Sequence, residues 1–272
     1  MGILNVTPDS FSDGGRFVAV DDAVARAMAM LDEGAHILDI GGESTRPNAV
    51  PTSADEEQER VLPVIEALLK ERPGAVLSID TFHAATAQQA VQAGAEIVND
   101  VSGFTWDVEM AAACAGLRCG VVLMHTRGKP QEWAAIQALT KDEVLRMVLA
   151  GLRECVDAAS HAGVARERIV VDPGFGFGKK GDENYTLLAG LEELRELGLP
   201  VLSGTSRKGF LGASLKHLHG GEPAPLSERV NATTAANVAS VLAGAHILRV
   251  HDVRAAVESA AVADAILAAV AR

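Results

Sequence analysis

Met1-Gly-Ile-Leu-Asn-Val-Thr-Pro-Asp-Ser-Phe-Ser-Asp-Gly-Gly15 opens the chain. The apolar run at 2–4 gives way at Asn5 to a polar loop rich in Asp, Ser and Gly. That is the pattern of a buried strand delivering side chains into a site at its C-terminal end. A doubly wound sheet usually shows a tight glycine-rich turn after its first strand. Here the loop is long and acidic, and this favours a barrel.

Seven further apolar runs follow, at 36–40, 75–80, 96–100, 120–125, 169–172, 200–204 and 245–250. They are rich in Val, Ile and Leu without strict alternation, as expected of parallel strands covered on both faces. The segments between them read as helices. Residues 21–33 place Val24, Met28 and Leu31 on one stripe and stop at Gly34. Ser53-Ala-Asp-Glu56 and Thr140-Lys-Asp-Glu143 have capping-box spacing. Pro63 falls inside the second helix and should kink or split it. Eight strand–helix units without a composition break predict a single (β/α)₈ TIM barrel, and 272 residues suit one such domain.

The net charge of −12 provides no basic face, so nucleic acid is not an expected partner. An anionic ligand must be held by local cations. Cys114, Cys119 and Cys155 form neither a disulfide framework nor a CxxC pair and read as packed, reduced thiols. No signal peptide and no apolar run of membrane-spanning length is apparent. A cytoplasmic enzyme with no membrane partner is expected.

Barrel sites lie at the C-terminal ends of the strands. Nearly every predicted strand ends there in a polar group: Asn5, Glu43 to Arg46, Asp80, Asn99, His125, Asp172, Ser206-Arg-Lys208 and Arg249-Val-His251. Asp80, Asn99 and Asp172 suit the edge of a flat heterocycle carrying N–H donors. The competing account makes Asp80 and Asp172 partners of Lys208 or Arg249 in barrel ion pairs. Arg46, Lys208, Arg249 and His251 form a cationic set, three of them after strands 7 and 8, the usual phosphate position. Gly174-Phe-Gly-Phe-Gly178 reads equally as a phosphate cradle or as a loop closing over ligand. His125 reads mainly as a structural strand-end residue. Zinc spacing is absent, whereas magnesium needs only one or two protein oxygens plus phosphate.

Taken together these segments resemble dihydropteroate synthase. The matching stretches are Gly2-Ile-Leu-Asn-Val-Thr-Pro-Asp-Ser-Phe-Ser-Asp13, Asp39-Ile-Gly-Gly-Glu-Ser-Thr-Arg-Pro47, Ser78-Ile-Asp-Thr81, Val98-Asn-Asp100, Asp172-Pro-Gly-Phe-Gly-Phe-Gly-Lys179, Ser206-Arg-Lys208 and Arg249-Val-His-Asp252. The resemblance implies a homodimeric barrel. It would condense a dihydropterin-CH₂ diphosphate with 4-aminobenzoate, releasing diphosphate. Asn5 would be the ligand of Mg²⁺. Asp80, Asn99 and Asp172 would read the pterin edge, with Lys208 at its carbonyl and N5 side, and Met124 and Arg249 would sandwich the ring. Arg46, Arg249 and His251 would bind the diphosphate. Phe11, Asp13, Thr45 and Pro47 would lie on two mobile loops over the aminobenzoate, whose pocket Phe177, Ser206 and Lys208 also line. Asp13 and Asp172 would oppose positive charge on the pterin. Relatives generally carry an N-terminal β-hairpin before the first strand, and this chain is expected to lack it. A methyltransferase using methyltetrahydrofolate on the same barrel would share the pterin readers. It has no need of the diphosphate cations.

Overall fold

The computed structural model describes residues 1–6, 15–43 and 52–270, with 15–18 as backbone only. Strands and helices alternate: β1 (Gly2–Asn5), α1 (Gly15–Asp32), β2 (Ile37–Gly41), α2 (Ala54–Glu71), β3 (Val76–Asp80), α3 (Ala84–Gln92), β4 (Ile97–Asp100) and α4 (Met110–Leu117). The second half continues with β5 (Gly120–Met124), α5 (Lys141–Ala162), β6 (Ile169–Asp172), α6 (Glu183–Ala189), β7 (Leu202–Ser203), α7 (Gly209–Ser214), α8 (Val230–Leu242), β8 (Ile247–Leu248) and α9 (Val253–Val270). The strands fall where the apolar runs predict. α7 is an extra short helix after β7.

All pairing is parallel. β1 to β6 lie in sequence order, and β7 pairs with β8. Bridges from Val171 to Val201 and from Gly2 to Val250 close the ring. Across the second seam the Ile3 N–H donates to the Val250 carbonyl at 2.8 Å, and the Val250 N–H to the Met1 carbonyl at 2.9 Å. The expected (β/α)₈ barrel is therefore complete.

Register sorts the side chains. Ile3, Asp39, Ser78 and Ile97 lie side by side in one row across β1 to β4. Asn5, Gly41, Asp80 and Asn99 form the row above, nearer the strand ends. Residues two apart on a strand share a face, so both rows face the barrel axis. Leu38, Ile40, Leu77, Ile79 and Val98 take the opposite face and are fully buried. Each such side chain contributes roughly 1.5–3 kcal/mol.

Two helix starts follow the sequence. The Ser53 N–H donates to Glu56 Oε2 and the Glu56 N–H to Ser53 Oγ, so the predicted box caps α2. At α5 the Thr140 N–H and hydroxyl both donate to Glu143. Pro63 does not split the helix: α2 runs through it. An interior proline costs about 3 kcal/mol. Val61, Val64, Ile65 and Leu68 are completely buried on the same helix, and their burial offsets that cost. The long connection at 216–226 has a fixed anchor. Arg229 donates from Nε to the Ala224 carbonyl at 2.7 Å and from Nη1 to the Arg207 carbonyl at 2.9 Å. It thereby ties this connection to the Ser206–Lys208 loop.

The glycine-rich stretch after β6 is a tight turn in which three amides are already used. Gly174 N–H donates to Asp172 Oδ1, Gly176 N–H to Asn184 Oδ1 and Phe177 N–H to the Gly174 carbonyl. Those donors are not offered to a phosphate, which argues against the cradle reading. Gly174 has φ +68°, and a Cβ there would stand 2.0 Å from the His125 carbonyl oxygen. Gly174→Ala is expected to destabilise the protein by more than about 3 kcal/mol, through both strain and overlap. Urea unfolding of the variant checks this.

Candidate active site

The mouth of the barrel centres on Arg249, which follows β8. Its Nε donates to Asp39 Oδ2 at 2.6 Å and its Nη2 to Asp80 Oδ2 at 2.5 Å. Asp39 Oδ2 also accepts from Asn99 Nδ2 at 2.9 Å. One guanidinium thus joins β2, β3 and β8, and one carboxylate joins it to β4. The ion-pair account of Asp80 holds, and Asp80 still faces the mouth.

Burial drives the Asp80 carboxyl up to about 7, against the pull of Arg249 and with the push of Asp39. Burial alone would lower Arg249, but Asp39 and Asp80 carry its pKa above the ordinary arginine value. Across the mouth Asp172 is buried at the end of β6, in register with Met124. Burial raises it, while the Gly174 N–H and then Lys208 pull it down. Lys208 lies 4.1 Å over the Phe177 ring. Burial, and then Arg249, lowers its amine to about 8.

The third group joins strands 7 and 8. Ser206 Oγ lies 3.0 Å from His251 Nδ1 and accepts from the His251 N–H at 3.1 Å. Burial, then Arg207 and Arg249, pushes the imidazole down to about 4. Arg207 turns away and pairs with Asp252 at 2.9 and 2.5 Å. Asn5 is exposed at the end of β1, beside Gly41.

The structure therefore gathers Asp80, Asn99 and Arg249, sets Asp172 and Met124 side by side, and couples Lys208 to Phe177 and Ser206 to His251. Phe11, Asp13, Thr45, Arg46 and Pro47 lie outside the described residues. His125 is buried, its carbonyl accepts from Lys179 Nζ at 2.8 Å, and burial followed by Lys179 drives its ring down to about 2. That environment fits the structural role.

Two residues of the site stand in the quoted stretches of sequence without a role assigned there. Asp39 is completely buried in the middle of β2. A lone Asp inside an apolar strand was the available signal. Lys179, also buried, closes the glycine-rich turn by reaching back to β5. Its signal was a lysine directly after Gly178.

A (β/α)₈ barrel with buried Asp and Asn opposite Lys, Arg and His at the strand ends defines an enzyme that holds a flat, N–H-bearing ring attached to an anionic group. The chain matches the family model "Pterin binding enzyme" over residues 1–251, and it belongs to that family. Within it, the dihydropteroate synthase of Synechocystis sp. is 46% identical over 98% of this chain and 89% of the relative. The dihydropteroate synthase of Xanthomonas albilineans, solved with 4-aminobenzoic acid, superposes at TM-score 0.87 with 44% identity, covering 98% of this chain and 92% of the other. The same enzyme in complex with 7,8-dihydropteroate gives TM-score 0.83 and 43% identity, covering 98% and 93%.

Arg249→Ala removes the cation between two carboxylates. A broken buried pair costs about 3–5 kcal/mol. Asp80 is already raised above its unfolded pKa, so its charged form opposes folding more as pH rises through about 7. The loss in the variant is expected to be largest at pH 8 and smaller at pH 5. Urea unfolding of both proteins at the two pH values measures it.

Proposed function

We infer that this chain is a dihydropteroate synthase. It joins the dihydropterin-CH₂ group of a pterin diphosphate to 4-aminobenzoate, giving 7,8-dihydropteroate and diphosphate. The observation that carries the reading is the juxtaposition of acceptor groups on β3, β4 and β6 with cations after β7 and β8. The relatives' names and bound ligands agree with it.

The C–O bond between the pterin methylene and the diphosphate breaks, and its electron pair leaves with the diphosphate. The aniline nitrogen then adds to the methylene and releases a proton. Asp80, Asn99 and Asp172 hold the pterin edge, Lys208 stands at its carbonyl and N5 side, and Met124 and Arg249 cover its faces. Arg46, Arg249 and His251 hold the departing diphosphate, with fixed donors in a partly desolvated mouth. Asp172 and Asp13 oppose the positive charge left on the pterin. Phe11, Asp13, Thr45 and Pro47, with Phe177, Ser206 and Lys208, surround the aminobenzoate and keep water from competing with it.

Among the described residues no group of three or more His, Cys, Asp or Glu could hold a metal ion. A single exposed carboxamide oxygen on Asn5 fits magnesium, which keeps most of its ligands as water and phosphate. When bound there, Mg²⁺ neutralises charge on the diphosphate.

The whole chain acts as one catalytic domain in the cytoplasm, as a homodimer. Leu242 on α8 and Val262, Ile266 and Leu267 on α9 support the dimer: they are exposed on two helices packed together. No helix among the described residues is long and apolar enough to cross a membrane.

Diphosphate release from the dihydropterin-CH₂ diphosphate, with and without 4-aminobenzoate and Mg²⁺, tests the reading; no turnover under any of those conditions would overturn it. Arg249→Ala is expected to lower kcat/KM by about 100-fold or more, and unchanged turnover removes Arg249 from the mechanism. Pterin binding is expected to weaken below about pH 7, as Asp80 gains a proton, and above about pH 8, as Lys208 loses one. Titration calorimetry with a pterin across pH 5–9 checks both limbs.

A further inference from the structure

Asp39 has no role in the reading above, yet it sits at the junction of two groups that do. It lies one row deeper than Asp80 and is completely buried. Its Oδ2 accepts from both Asn99 Nδ2 and Arg249 Nε, and its Oδ1 is buried without a partner. Unpartnered buried polar atoms are few in native proteins and each calls for an explanation.

We propose that Asp39 is a positioning residue that sets which face of the Asn99 carboxamide, and which edge of the Arg249 guanidinium, meets the pterin. This rests on the assignment of Asn99 and Arg249 to the pterin site. An ionised carboxylate can only accept hydrogen bonds. It therefore holds the NH₂ of Asn99 toward β2 and turns Oδ1 away, toward the ligand. A carboxamide free to flip would read either a donor or an acceptor on the ring, whereas one held this way favours ring N–H donors. The same oxygen takes the Arg249 Nε, while Asp80 takes Nη2, and together they fix the guanidinium plane. Asp39 thus makes the site selective for a pterin bearing a 2-amino group over the corresponding 2-oxo ring.

Calorimetry on the full chain with 6-hydroxymethylpterin and its 2-oxo analogue reads this selectivity. In Asp39→Asn the side chain can itself donate, so Asn99 is released. The preference for the 2-amino ring is expected to fall by at least about tenfold, with the KM for 4-aminobenzoate unchanged. Asp39→Ser removes the charge with less bulk, and it is read in the same way if the amide variant does not fold. If both affinities fall together at an unchanged ratio, Asp39 serves only packing and the proposal is overturned; so is it if neither affinity changes. If the unmutated chain binds neither ring, the pterin assignment itself fails, and this proposal with it.

Discussion

Arg249 is held between two carboxylates on neighbouring strands, and most of the site depends on that arrangement. Asp39 and Asp80 are charges that a barrel interior would otherwise reject, because desolvation of an unpaired ion costs several kcal/mol. Arg249 makes both tolerable, and they in turn keep its side chain across the mouth rather than in solvent. Asn99 joins through Asp39, so four strands share one hydrogen-bonded unit. The groups that hold the barrel mouth together include those proposed for the pterin, so a ligand there would exchange partners within a network already in place.

The surrounding loops show a similar economy. Asp172 accepts the Gly174 N–H, Lys179 returns to the His125 carbonyl, and Arg229 fastens the Ser206–Lys208 loop from behind. Each contact places a short, stiff turn at a strand end. Lys208 consequently meets the mouth in a partly desolvated setting, where its charge acts more strongly than in water, and burial favours the neutral ring of His251.

Much of this was legible in the residues. Parallel strands buried on both faces leave apolar runs, so all eight were visible, and most of the polar residues ending them lie at the mouth of the barrel. What escaped has identifiable causes. Asp39 interrupts an apolar run, and nothing local says that its partners lie at Asn99 and Arg249. The persistence of α2 through Pro63 reflects tertiary burial outweighing a local rule. The glycine-rich turn after β6 read equally as an anion cradle or a closing loop because glycine content alone does not reveal that three of its amides are already bonded. Lys179 and Arg229 act through backbone carbonyls, a kind of partner that residue type does not announce.

The seam between β1 and β8 has a consequence for how the protein is made. Asn5 belongs to the first strand, whereas Arg249 and His251 belong to the last, and the two meet only when Val250 bonds to Met1 and Ile3. During synthesis β1 is made long before β8, its partner across this seam, exists. The ring cannot close until β8 has emerged. Every shorter nascent species carries an open sheet edge and an incomplete site, so a ribosome-bound chain should be catalytically silent and reliant on shielding until its last strand arrives.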